Sequence, residues 1–66
     1  MRYNINHNHT NSHAIYALAD SAQGHIVSDV EISSDGTRIA IIEFPAEQAD
    51  YMDELLESDE SVLEYR

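Results

Sequence analysis

The stretch Thr37 to Glu57 constrains this chain more than any other. Its first part, Thr-Arg-Ile-Ala-Ile-Ile-Glu-Phe, is the densest apolar β-branched run in the molecule. With Ile39, Ala40, Ile41, Ile42 and Phe44 apolar on both faces, it predicts a strand flanked on both sides, and therefore a central one. Pro45 follows. Its fixed φ and missing N–H suit the first turn of a helix, and strong helix formers continue to Glu57. At about 100° per residue, Ala49, Met52, Leu55 and Leu56 gather on one arc, and Glu47, Asp50, Asp53, Glu54 and Glu57 on the other. One face is apolar and the other is a row of carboxylates.

That row belongs to a wider imbalance. The 66 residues hold 13 Asp plus Glu against three arginines and no lysine, a net charge of −10 with histidines neutral. Nine of the 13 acids (Glu43, Glu47, Asp50, Asp53, Glu54, Glu57, Asp59, Glu60, Glu64) fall between residues 43 and 64. A charge of this size repels itself, and it excludes phosphate and nucleic acid as direct ligands because Arg2, Arg38 and Arg66 are the only fixed cations. The expected partner is basic. Adaptation to high salt also yields acidic, lysine-poor chains, but disperses the acids rather than concentrating them.

The length predicts one domain spanning residues 1–66, with a core that buries roughly 60% of the unfolded chain's surface and little room for an enclosed active site. No cysteine is present, so neither disulfides nor thiolate metal sites supplement the core, and an intracellular, cytoplasmic setting is expected. No segment approaches the roughly 20 apolar residues of a membrane span, and Met-Arg-Tyr-Asn-Ile-Asn lacks the apolar core of a signal peptide.

Met1, Tyr3 and Ile5 alternate with Arg2, Asn4 and Asn6, predicting a strand over Arg2 to Asn6. His7 to Asn11 reads as a loop, with Asn11 or Ser12 placed to cap a helix over Ser12 to Ala22. That helix buries Ala14, Ile15, Leu18, Ala19 and Ala22, exposes His13, Tyr16, Asp20 and Gln23, and ends at Gly24 in the capping position. In His25 to Ile32, strict alternation sets Ile26, Ser28, Val30 and Ile32 on one side of a second strand and Val27, Asp29 and Glu31 on the other. Ser33-Ser34-Asp35-Gly36 is a turn with a hairpin signal in Asp-Gly. Ser58 to Ser61 closes the acidic helix, and Val62 to Tyr65 is a short last strand.

The order strand, helix, strand, strand, helix, strand defines an α+β chain. Two right-handed β-α-β halves joined by a hairpin give the ferredoxin-like βαββαβ arrangement, a four-stranded antiparallel sheet with both helices on one face. The first and third strands are then central. The other face is left open, and the apolar residues there imply that it meets a loop, a second copy as a homodimer, or a partner.

Residues three or four apart on a helix stand about 5–6 Å apart. Glu47, Asp50, Glu54 and Glu57 therefore make a line of negative charge comparable to a nucleic-acid strand, which carries one charge per about 3.4 Å of axis. An acidic helix face is often no more than a solvated one. Here, however, lysine is absent and like charges are neighbours, which costs some tenths of a kcal/mol per pair. The candidate partner-binding set is Glu47, Asp50, Asp53, Glu54, Glu57, Asp59, Glu60 and Glu64, with Tyr51 at its margin. His7, His9 and His13, with His25 further on, could supply imidazole ligands, but their spacing matches no metal motif, so no metal or other cofactor is expected. Protonating all four histidines below pH ~6.5 would weaken any charge-driven association. No nucleophile elbow, Gly-rich phosphate loop or desolvated carboxylate pair is evident, so no catalytic residues and no enzyme are expected.

The run Ile41-Ile42-Glu43-Phe44-Pro45-Ala46-Glu47 leading into Asp53-Glu54-Leu55-Leu56-Glu57-Ser58-Asp59-Glu60, in a chain free of cysteine and lysine, resembles the small phage-encoded anti-CRISPR proteins that act on type I-C systems. The resemblance spans the whole chain and rests on no fixed motif. It implies a non-enzymatic inhibitor that mimics double-stranded DNA and binds a Cas subunit where target DNA is read, in the cytoplasm of the host cell. Residues 37 to 65 are also similar to the latter half of subtilisin propeptide-type inhibitors, which lay an extended C-terminal tail in a protease cleft. Here little chain follows the last strand.

Overall fold

The run predicted to be central is central. In the computed structural model, which describes every residue from Met1 to Arg66, it forms β3 (Arg38–Glu43). Strand β2 (His25–Glu31) lies on one side and β1 (Arg2–His7) on the other, with β4 (Val62–Tyr65) beyond β1. The order is β2-β3-β1-β4, and every neighbouring pair is antiparallel. Two helices, α1 (Ser12–Ser21) and α2 (Ala49–Glu57), complete an α+β layout consistent with the ferredoxin-like fold.

Both helices cover one face. Ile15, Leu18 and Ala19 of α1, its C-cap Ala22, and Met52 and Leu56 of α2 share a single buried cluster with Ile5, Ala40, Ile42 and Phe44 from the sheet side. Burying each of the larger aliphatic side chains contributes roughly 1.5–3 kcal/mol, against some tenths for each like-charge pair on α2. Apolar packing therefore outweighs self-repulsion. The same register turns Arg2, Asn4 and Asn6 of β1, and Ile39, Ile41 and Glu43 of β3, to the open face.

Strand β1 runs one residue further than the alternation suggested. His7, expected in a loop, continues the inward parity of Tyr3 and Ile5 and is completely buried. Its Nε2 lies 3.0 Å from Asp29 Oδ1, and its Nδ1 accepts a hydrogen bond from the His9 backbone N–H. A polar side chain enters this core because both ring nitrogens find partners.

Strand β2 departs from strict alternation. A bulge between Ile26 and Ser28 inserts an extra residue, so parity reverses beyond it. Ile26 packs against the core, while Ser28 and Val30 turn to the open face, with Ile32 following on that side. Asp29 turns inward and is only 7% exposed. There Arg38 Nε approaches both of its carboxylate oxygens at 3.3 Å, and Arg38 Nη2 donates to its carbonyl at 3.0 Å. The β2–β3 connection is a four-residue loop closed by Ile32 N–H donating to the Thr37 carbonyl at 2.9 Å. Gly36 supplies its positive φ of 94°. Asp35 accepts from the Thr37 N–H and hydroxyl and from the Ser33 hydroxyl, and these bonds hold its carboxyl down at about 2.

Asn11 caps α1, its Oδ1 accepting from the His13 N–H at 2.8 Å. At the other end the expected glycine cap is displaced by one residue. Gln23, not Gly24, takes the left-handed conformation with φ 60°. The Gln23 N–H donates to Asp20 O and the Gly24 N–H to Ala19 O, the paired bonds of a Schellman turn. Gly24 is needed for a different reason, because a Cβ there would lie 2.5 Å from the Glu43 carbonyl oxygen and 2.9 Å from Phe44 Cβ. Pro45 also sits one step earlier than expected. It is extended (ψ 139°) and precedes a 3-10 turn over Ala46–Gln48, after which α2 begins.

Two substitutions at this turn have opposite expected effects. Gln23→Gly relieves a left-handed side-chain position and should stabilise the fold by about 1 kcal/mol. Gly24→Ala should destabilise it by about 2–3 kcal/mol because backbone and side chain both obstruct the new Cβ. Urea titration of the two variants beside the wild type measures both. Equal effects of the same sign would contradict this assignment of roles.

Candidate functional site: the acidic face of α2

The carboxylates of α2 owe their exposure to the packing of its other side. Met52 and Leu56 are buried and Ala49 and Leu55 are half-buried. Helical geometry then holds Asp50, Glu54 and Glu57 in the centre of the wet arc, and all three are exposed. Glu47 stands one turn earlier, in the 3-10 segment, and is exposed as well. Tyr51, 44% exposed, sits beside them.

The other candidates are placed differently. Asp53 lies at the margin of the arc, half-buried, where its Oδ1 accepts a hydrogen bond from the Tyr3 hydroxyl at 2.6 Å. Asp59 is in the turn after α2, with Oδ1 accepting from the Ser61 N–H at 2.9 Å and Oδ2 lying 2.8 Å from His9 Nε2. Glu60 is exposed in the same turn. Glu64 pairs with Asn6, so it projects from the open face of the sheet, opposite the helices. The structure therefore brings Glu47, Asp50, Glu54 and Glu57 together, sets Asp53 at their edge and Asp59 and Glu60 beyond the helix end, and separates Glu64 from them.

No arginine forms a salt bridge with this arc. Arg2 bridges Glu43 at 2.9 Å and Arg38 is bound to Asp29, so two of the three cations are committed elsewhere. Arg66 lines an open groove of about 470 Å³ with Glu57, Val62, Leu63, Glu64 and Tyr65, without a salt bridge. The last turn of α2 contains no basic residue. Glu54 and Glu57 thus stand near the negative end of the helix dipole, an arrangement that costs roughly 0.3–1 kcal/mol per charge.

Two phenols report the resulting field. Tyr3 is pushed up to about 12, first by its hydrogen bond to Asp53, then by burial, and further by the charges of Asp53 and Asp50. Tyr65 is also raised, chiefly by burial and then by Asp53 and Glu57. The two rings lie 5.4 Å apart, and Tyr3 meets Phe44 edge-on at 5.0 Å, so the aromatic group ties β1 and β4 to the chain entering α2. The sequence had singled out Tyr51 and passed over Tyr3, whose inward parity with Ile5 was nevertheless legible.

The histidines are mostly engaged. His7 and His9 face Asp29 and Asp59, His25 is exposed with its Nε2 3.9 Å from Glu43 Oε2, and His13 is exposed. They are not four equivalent surface imidazoles. No helix is long and apolar enough to cross a membrane. By topology the chain falls in the class of α+β proteins with a split β-α-β sheet. No protein-family model, curated protein or solved structure matches it.

The Tyr3–Asp53 bond generates a pH-dependence with a definite sign. The folded phenol titrates near 12, above its ordinary value of 10. Its contribution to stability is therefore complete below pH about 10 and is lost as pH rises through about 12. Tyr3→Phe should cost about 1–2 kcal/mol at neutral pH, leaving Asp53 without its donor, and should show a smaller alkaline loss than the wild type. Thermal melts between pH 7 and 12 test this, and an identical alkaline profile in the variant would refute it.

Proposed function

We propose that this chain is a non-enzymatic inhibitor whose α2 carboxylates imitate a phosphate ladder. They occupy a basic DNA-recognition surface, specifically that of a Cas subunit in a type I-C CRISPR effector complex, in the cytoplasm of the host cell, and block target DNA. The observation that carries this reading is the run Glu47, Asp50, Glu54 and Glu57, exposed side by side with no cation bound to any of them. Carboxylates kept against their own repulsion, and in the case of Glu54 and Glu57 also against the helix dipole, are understandable if a cationic groove neutralises them on binding. Glu60, beyond the helix end, extends the same charge. Asp53 and Asp59 add to the field but are held by internal hydrogen bonds, and Glu64 faces away.

The propeptide-type alternative receives less support. Arg66 exchanges backbone hydrogen bonds with Asn4 at 2.8 and 3.1 Å, so residues 62–66 are held in the sheet rather than extended toward a cleft. Adaptation to salt accounts poorly for the uneven charge, since the open face carries arginines and glutamates in equal number.

Binding to a type I-C effector complex should weaken about tenfold or more as salt rises from roughly 50 to 200 mM, because exposed charges are screened over ~8–10 Å. Reversing Glu47, Asp50, Glu54 and Glu57 to Lys together should abolish inhibition while the circular dichroism spectrum is retained, and duplex DNA should compete. Full inhibition by that folded variant would place the working surface elsewhere.

A further inference from the structure

The open face of the sheet differs in kind from the rest of the surface. At its centre and toward β2 lie Ile39 and Ile41, half-buried, with Val30 and Ile32, 54% and 49% exposed. Its fixed charges balance: Arg2 and Arg66 stand against Glu43 and Glu64. The remaining eleven carboxylates share the rest of the molecule with Arg38 alone. A chain of net charge −10 thus presents one neutral face with an apolar centre, built around its most apolar strand.

We infer that this face is the contact between two copies of the chain, packed sheet against sheet with their helices outward. Charge selects this occupant. A basic partner is drawn more strongly to α2 than to a neutral face, and an acidic one is repelled by the whole. A second copy brings a face equally neutral, with arginines and glutamates that can alternate across a two-fold axis. The arrangement also minimises repulsion. Sheets pack about 10 Å apart, and each helix layer lies a similar distance behind its own sheet, so the two acidic arcs stand roughly 30 Å apart, beyond the ~8–10 Å screening length. Contacts through helices or acidic turns would bring like charges together instead.

Size sets the strength. Four strands at about 4.8 Å spacing and six residues at about 3.3 Å each give roughly 400 Å² of flat area per copy. Two copies together then cover about 800 Å², below the roughly 1,200–2,000 Å² of a standard specific interface, so association is weak and concentration-dependent. It does not depend on the function proposed for α2, and salt separates the two. Added salt should strengthen self-association by screening the like charges of the copies, whereas it weakens capture of a basic partner.

Sedimentation velocity of the full chain from about 10 μM to 1 mM provides the test. The expected result is a shift from the 7.5 kDa monomer toward twice that mass, increasing with salt. Val30→Glu with Ile32→Glu, at two exposed edge positions, should weaken association at least about tenfold with an unchanged circular dichroism spectrum. Reversal of Glu47 and Asp50 to Lys should not weaken it. In the wild type, mixed isotope labelling should give intermolecular contacts between the methyl groups of Ile39 and Ile41, a readout that does not rely on the variant folding. A monomer at 1 mM, which would leave the face to a different partner, overturns the inference. So do wild-type association of the folded double variant and dimers without those methyl contacts.

Discussion

The bulge between Ile26 and Ser28 decides which residues of this molecule meet which. Beyond it Asp29 points into the core side of the sheet, where Arg38 and His7 hold it, while Val30 and Ile32 point away. Without the extra residue the two sets would exchange places, and Arg38 and His7 would face the core without a carboxylate. A completely buried imidazole left without a hydrogen-bond partner is a costly defect in a small domain. The bonding spans three strands, since Asp29 on β2 meets His7 on β1 across β3. Ala40, opposite Asp29 on that intervening strand, leaves room for them with its methyl side chain. One inserted residue therefore satisfies the buried end of the sheet and also sets apolar groups on its open face.

The same arrangement governs the electrostatics of the surface. A chain with three arginines cannot neutralise 13 acids, so where those arginines go determines where the field remains. Arg38 is drawn inward by Asp29. Arg2 is paired with Glu43 on the open face, where Arg66 also lies. Both assignments follow from strand parity, and together they leave the carboxylates of α2 and the turns around it without an arginine salt bridge. The acidity of the helix face is thus a consequence of topology as well as composition. Surface ion pairs contribute little individually, but the distribution of unpaired charge sets what can approach.

Elements and their order were legible because apolar periodicity, the Asp-Gly turn and the apolar run of β3 all pointed the same way. What escaped was local geometry that depends on a second element. His7 read as loop because its neighbours are polar, and only Asp29, distant in sequence, explains its burial. The bulge left no mark, since strict alternation through Ile26, Ser28, Val30 and Ile32 is itself a self-consistent pattern. Gly24 was expected at the cap for its freedom of φ, whereas its requirement comes from the Glu43 carbonyl and Phe44, which no local rule anticipates. Within the acidic set, Glu47, Asp50, Glu54 and Glu57 follow from helical spacing. Glu64 does not, because its side of the sheet depends on the pairing of β4 with β1, and Asp53 and Asp59 are drawn into hydrogen bonds by Tyr3 and His9.

The bond from Tyr3 to Asp53 bears on how α2 is held. The helix is only nine residues long and buries just two side chains completely, Met52 and Leu56. So few apolar contacts tolerate some rotation of a short helix about its axis, because aliphatic packing has little directional preference. A hydrogen bond of 2.6 Å between a phenol and a carboxylate is directional, and it is anchored at the far end by the edge-on contact of Tyr3 with Phe44 and its tilted contact with Tyr65. One acid turned inward therefore fixes the azimuth of those turned outward. If α2 rotated by a single residue, about 100°, Glu54 would take the position of Asp53 and the arc of Asp50, Glu54 and Glu57 would swing over the sheet edge. The alignment of the free carboxylates thus depends on a partner that the arc itself does not contain.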